Sequence, residues 1–351
     1  MCGVTVTDPA GRAPSLPDSA GKGGAEPGAP PGPPPRGHLG AIEILAAVLV
    51  LAVVARVWLV GVSESPPVRA WLTVFVSIVV QAMPFVVLGT VLSAVISTVV
   101  PPGFFARALP GRAGLAVPVA GTAGALLPGC ECASVPVAGA LVRRGVTPAA
   151  ALAFLLSAPA INPVVIVATA VAFPGRPEMV VGRFVASLVT AVVMGWLWLR
   201  LGRAEWMRLP ARANLDGLSR ASAFVATCRH DAAQAGGYLV IGAAAAATLN
   251  VVVPPGWLRA VAGQPVFSVL ALAILAVLLS ICSEADAFVA SSLTQFSLTA
   301  RLAFLVVGPM VDLKLFAMQV GTFGRRFAVR FAPTTFVVAV VVAVAVGTVL
   351  W

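Results

Sequence analysis

Two stretches of this chain place thiols and carboxylates, with an amide or a lysine, inside otherwise apolar surroundings. The first reads Pro128-Gly129-Cys130-Glu131-Cys132 and runs on to Ala153-Phe154-Leu155, Pro159 and Asn162-Pro163. The second reads Cys282-Ser283-Glu284-Ala285-Asp286 and runs on to Ala303-Phe304-Leu305, Pro309 and Asp312-Leu313-Lys314. Cys132 and Cys282 are 150 positions apart, as are Pro159 and Pro309, and Asn162 and Asp312. Thiolates are soft ligands suited to Cu(I), Zn(II) or trivalent arsenic. Cys130 and Cys132 therefore form a candidate pair for a soft metal or metalloid carried as substrate, with Cys282 as a third sulfur. On a regular helix, residues i and i+2 point to nearly opposite faces. The preceding Pro128-Gly129 predicts an unwound backbone from which both sulfurs can face one cavity. Free cysteine also packs as a small buried hydrophobe, and that alternative stays open for each thiol.

Glu131, Glu284, Asp286 and Asp312 are acids embedded in apolar sequence. A charge at bilayer depth costs roughly 2.5–3.5 kcal/mol even on the lenient insertion scale. Such acids face a cavity, pair with a cation or carry a proton. Lys314, one of only two lysines in the chain, is the candidate partner of Asp312. Asn162 lies between Pro159 and Pro163, where half-helix ends and freed carbonyls can coordinate a solute or ion. The candidate substrate-binding residues are thus Cys130, Glu131, Cys132, Asn162 and Cys282. Glu284, Asp286, Asp312 and Lys314 are the candidates for ion or proton coupling.

The elements that must carry these residues are membrane helices. The 351-residue chain is 59% hydrophobic and 10% charged, with mean hydropathy +1.00. Runs of about 20 apolar residues match the roughly 30 Å hydrocarbon core, and such runs recur along the chain. Lipid offers no partner to backbone amides, so the spans must be helical. The expected fold is an all-α polytopic membrane protein with about 8–10 transmembrane segments, in two homologous repeats with broken or re-entrant helices. Residues 1–39 read as a disordered Pro/Gly-rich tail, and 40–61 as one extra N-terminal transmembrane helix. The repeats span 70–202 and 222–351, with a polar interdomain loop at 203–221. Val99-Val100-Pro101-Pro102-Gly103 recurs as Val252-Val253-Pro254-Pro255-Gly256, and Gly89 recurs as Gly242.

The net charge of +10 is almost entirely arginine. These arginines separate apolar runs and read as topology signals, which excludes nucleic acid as a partner. If every run spans once, Arg107, Arg112, Arg176 and Arg183 fall in loops on alternating sides, and the repeats are parallel. If one run per half is re-entrant, the repeats are inverted. Trp196, Trp198, Trp257 and Trp351 read as interfacial anchors. No Walker A, HExxH or Gly-x-Ser-x-Gly sequence is present, so a transporter is expected rather than an enzyme, with no cofactor.

The Pro-Gly-Cys-Glu-Cys run, Arg143-Arg144-Gly145-Val146-Thr147-Pro148 and Ala158-Pro159 resemble the predicted permeases of the ArsP/YraQ type. Cys282-Ser283-Glu284-Ala285-Asp286 and Gly308-Pro309-Met310-Val311-Asp312-Leu313-Lys314 look like that family's second signature. The resemblance covers about 70–351. It implies a permease of the cell membrane, in a bacterium the inner membrane, with the bilayer and a small-molecule or ion substrate as partners. A homo-oligomer is compatible with it. Some members export trivalent organoarsenicals, which implies metalloid binding by Cys130 and Cys132. Relatives often carry Ser where this chain has Glu131. The alternative is a membrane thiol oxidoreductase using Cys130 and Cys132, although disulfide chemistry favours the Cys-x-x-Cys spacing.

Overall fold

The computed structural model describes residues 66–101, 103–127, 129–209, 219–252 and 265–351. The tail 1–39, the helix expected at 40–61, and residues 210–218 of the polar loop lie outside the described residues, as does Trp257. The described residues are helical. In chain order they form α1 (Pro66–Thr98), α2 (Phe104–Ala108), α3 (Ala113–Ala123, followed by a 3₁₀ turn), α4 (Glu131–Arg143), α5 (Pro148–Ile161) and α6 (Pro163–Ala172). Then come α7 (Pro177–Leu201), α8 (Arg220–Val252), α9 (Pro265–Leu279), α10 (Asp286–Ser292), α11 (Leu298–Val307), α12 (Leu313–Phe323) and α13 (Arg325–Leu350). The stretches 66–98, 148–172, 177–201, 220–252 and 325–350 are long and apolar enough to cross a membrane.

Proline marks helix starts here more than helix breaks. Pro148, Pro163 and Pro177 open α5, α6 and α7, where the missing N–H has no intrahelical acceptor in any case. Pro84, Pro118, Pro136, Pro159 and Pro333 sit inside helices. The true interruptions fall at Leu127 and Gly129–Cys130, at Asn162, at Ser280–Ala285 and at Gly308–Asp312. They coincide with the polar motifs.

The path of the chain follows from a few contacts. The Arg144 guanidinium at the end of α4 donates to the Ser97 carbonyl at the end of α1. The Trp196 indole, near the end of α7, donates to the Gly114 carbonyl at the start of α3 at 2.9 Å. Ala116 and Ala120 of α3 cluster with Val146, just before α5, and with Ala150 and Ala151 in its first turn. The start of α3, the end of α4 and the start of α5 therefore share one end of the bundle, and α3–α4 is a hairpin that enters and returns. The unit α5–α6 continues to the far end and α7 comes back. There Gly182 of α7 approaches Leu302 of α11 and Leu350 of α13. Trp71 donates to Thr248 at 3.0 Å, and Ser93 donates to Asp231 at 2.5 Å, so α8 runs antiparallel to α1. The unit α11–α12 is a second broken pass, and it ends beside Arg208, whose N–H donates to the Phe323 carbonyl at 2.9 Å.

This path corrects the reading of the arginines. Because α3–α4 returns, Arg112 lies at the same end as Arg143 and Arg144. Arg200, Arg203, Arg208, Arg325 and Arg326 lie there too. Arg69, Arg176 and Arg301 belong to the far end. Arg183 is not a loop residue at all: it lies inside α7 with no exposed surface. The Trp198 ring packs edge-on against Trp206, Phe327 and Phe331.

Gly89 of α1 and Gly242 of α8 explain themselves by proximity. A Cβ on Gly89 would lie 2.6 Å from the Cα of Ala133, and one on Gly242 would lie 2.5 Å from the Cα of Lys314. Two long helices thus rest backbone to backbone on the first turns of the short helices α4 and α12. Membrane helices use such small-residue contacts for close approach.

Candidate functional site

Four short helices begin near one another in the middle of the bundle; polar side chains cap two of the starts, and acids stand first in the other two. Cys130, in extended conformation (φ −82°, ψ −179°), precedes α4, and Glu131 is the first residue of that helix. Asn162 caps α6, its side-chain oxygen accepting from the Val165 N–H at 2.9 Å. The Asn162 amide donates to the carbonyls of Gly129 at 3.1 Å and Ala158 at 3.2 Å, which ties the α3–α4 turn to the α5–α6 break. Asp312 caps α12 by accepting from the Leu315 N–H at 2.6 Å. Asp286 opens α10. Such caps satisfy the amides that a helix start leaves without partners.

Lys314 is the hub of the first polar cluster. Its ammonium has no exposed surface and lies 2.5 Å from Glu131 Oε1 and 3.4 Å from Asp312 Oδ2. It donates to the Ser280 carbonyl at 3.0 Å and lies 3.9 Å from Cys282 Sγ. Ser280 itself has φ +49°, a left-handed conformation that costs a non-glycine residue energy. Its hydroxyl accepts from the Leu313 N–H at 3.2 Å, so α12 holds that turn in place. Asp312 is thus a partner of Lys314, as expected. Glu131, from the other half of the chain, comes closer.

The thiols surround the same point. Cys130 Sγ, Cys282 Sγ and a Glu131 carboxylate oxygen all lie within 4.8 Å of one another, and all three residues are buried. Cys132 is also buried and touches the Cys130 thiol, yet it is not one of these three. None of the four described cysteines, Cys228 included, forms a disulfide.

A second cluster lies beside the first. Arg183 Nη2 sits 2.8 Å from Asp286 Oδ2 and donates to the Ser283 carbonyl at 3.1 Å, while Nη1 donates to Thr169 Oγ1 at 2.9 Å. Glu284, half-buried in the intervening turn, is within electrostatic reach of both Lys314 and Arg183. All nine sequence-derived candidates therefore fall in this one region, with Asn162 at its edge. Arg183 is a residue of this region that the sequence alone did not single out. The available signal was Pro177: a helix opening there puts Arg183 almost two turns inside an apolar span. Asp231, buried in α8 against Ser93, was missed for a similar reason.

These features define a multi-pass membrane protein with a polar, thiol-bearing centre at the breaks of its helices. The chain belongs to the family described as predicted permease (ArsP_1), whose model matches residues 68–348. It is 35% identical over 278 residues to UPF0718 protein YcgR of Bacillus subtilis, covering 77% of this chain and 94% of that protein. It is 30% identical over 284 residues to a Streptococcus mutans protein named "Putative two-component membrane permease complex subunit", covering 79% and 94%. No solved structure matches. Membership of this family indicates a multi-pass permease of the cell membrane.

Proposed function

We propose that this chain is a secondary-type permease or exporter whose solute site lies between two inverted repeats, 70–202 and 222–351. The observation that carries this reading is the Glu131–Lys314 contact at 2.5 Å with Cys130 and Cys282 beside it, since each pair joins one residue from each half. The order of elements supports the repeat: each half has a long helix, a helix with a turn, a broken pass and a second long helix. Sites at discontinuous helices between repeats suit alternating access. The arginine-rich end is the cytoplasmic one on this reading.

Sulfur donors suit a thiophilic solute, a metalloid or an organoarsenical. Charge supports coupling to a cation. Among the described residues, Glu131, Glu284, Asp286 and Asp312 lie within reach of two bases, Lys314 and Arg183, so four acids minus two bases leaves two carboxyls to be neutralised by protons or by a bound cation. The test compares cells lacking and overproducing the protein for uptake and survival across arsenicals, soft metals and sulfur compounds. Glu131→Gln and Glu284→Gln should remove the solute phenotype while the protein stays in the membrane. An unaltered phenotype in both variants overturns the site. Thiol trapping separates the redox alternative, which requires a cycling Cys130–Cys132 disulfide. Crosslinking in native membranes distinguishes a homo-oligomer from pairing with a second subunit.

A further inference from the structure

The donor set at the centre is more selective than its sulfurs alone. We infer that Cys130, Glu131 and Cys282 form a site for a divalent, borderline-soft cation of the Zn²⁺ or Cd²⁺ class, which rests on the permease reading and names its substrate class. Two observations point to a ligand here. The two sulfurs and the carboxylate oxygen lie within 4.8 Å of one another. A tetrahedral centre with metal–sulfur bonds of about 2.3 Å sets its sulfurs roughly 3.8 Å apart, so little contraction is needed. Glu131 Oε2 is fully buried and has no hydrogen-bond partner, although Oε1 meets the Lys314 ammonium. A buried carboxylate oxygen left without a donor costs energy, and a cation between the sulfurs supplies what is missing.

Charge selects the class. Two thiolates and one carboxylate carry three negative charges. A divalent ion leaves one, and the adjacent Lys314 ammonium neutralises it when Asp312, the other carboxyl beside Lys314, carries a proton. A monovalent soft ion would leave the buried site negative, and a carboxylate is a poor ligand for such an ion. On binding, two S–H bonds give way to two metal–sulfur bonds and both protons leave the site. Cys282 rather than Cys132 is the second sulfur, so the ligands come from both halves of the chain and the bound ion bridges them.

The test uses the full chain, reduced and purified in detergent, titrated with Cd²⁺ and read by the ultraviolet thiolate-to-metal charge-transfer band. Wild type should show the band. Cys130→Ser and Cys282→Ser should each weaken binding at least about tenfold, with Glu131→Gln weakening it as well, while Cys132→Ser retains it. In native membranes Cd²⁺ should protect Cys130 and Cys282 of the unmodified protein from alkylation, which needs no variant to fold. Absence of the band from wild type overturns the inference, as does a band that survives Cys282→Ser and disappears in Cys132→Ser. Wild-type cells that export an arsenical through a protein with no Cd²⁺ band would sink this substrate class and leave the permease standing. Cd²⁺ binding without flux of any solute would do the reverse.

Discussion

Two buried ion pairs sit side by side in this protein, and they are built to different ends. Arg183 is held by three partners: the Asp286 carboxylate, the Thr169 hydroxyl and the Ser283 carbonyl. Its planar fork suits a fixed brace, here between α7 and the turn that opens α10. Lys314 is a compact point charge between two carboxylates, and one of them, Glu131, keeps an oxygen with no donor beside two thiols. Both clusters keep buried polar atoms without a hydrogen-bond partner, Asp286 Oδ1 and Arg183 Nε in the first and the Glu131 carboxylate in the second. The difference is the sulfur: only the second sets two thiols within 4.8 Å of its carboxylate. That donor set, absent around Arg183, separates a brace from a place where something else can bind.

The comparison breaks most readily at Arg183. Arg183→Met leaves the buried Asp286 uncompensated, and removing one partner of a buried pair costs about 3–5 kcal/mol. The expected result is a large drop in the amount of folded protein and in the thermal midpoint in detergent, largely reversed in the double variant Arg183→Met, Asp286→Leu. Glu131→Gln should give the opposite pattern, with transport lost and a midpoint close to wild type. Equal stability losses in the two would show that both clusters are braces.

Gly242→Ala comes next. Its Cβ would meet the Lys314 Cα at 2.5 Å, and overpacking of this kind costs about 1–3 kcal/mol. Because α8 must then lift away from the first turn of α12, transport should fall further than the midpoint shift alone explains. Asn162→Ala should be the mildest change. It removes the cap of α6 and the tie to the Gly129 carbonyl, for about 1 kcal/mol, with partial transport retained. A full loss of transport in Asn162→Ala at unchanged stability would move that residue from positioning into solute contact.

Much of the site was legible because its cost is local. A carboxylate or lysine inside an apolar run is expensive wherever the run goes, so Glu131, Asp286, Asp312 and Lys314 stood out one by one. Arg183 did not, because arginines also mark helix ends, and only the start of α7 at Pro177 shows that this one lies within the span. The spacing of Gly89 and Gly242 was visible, but their purpose was not, since the Ala133 and Lys314 backbones they touch lie far along the chain.

The amino-acid sequence by itself determined that this is a helical membrane protein of the predicted permease family, where its helices break, and which polar residues are carried to membrane depth. Hydropathy, proline placement and capping act within a few residues, so they can be read locally. The tertiary structure decided which of those residues meet. It turned α3–α4 back on itself, brought the arginines of both its ends to one face, put Glu131 closer to Lys314 than Asp312 is, and set Cys282 rather than Cys132 with Cys130 and Glu131. Those pairings depend on how helices distant in the chain cross, and no local propensity encodes a crossing.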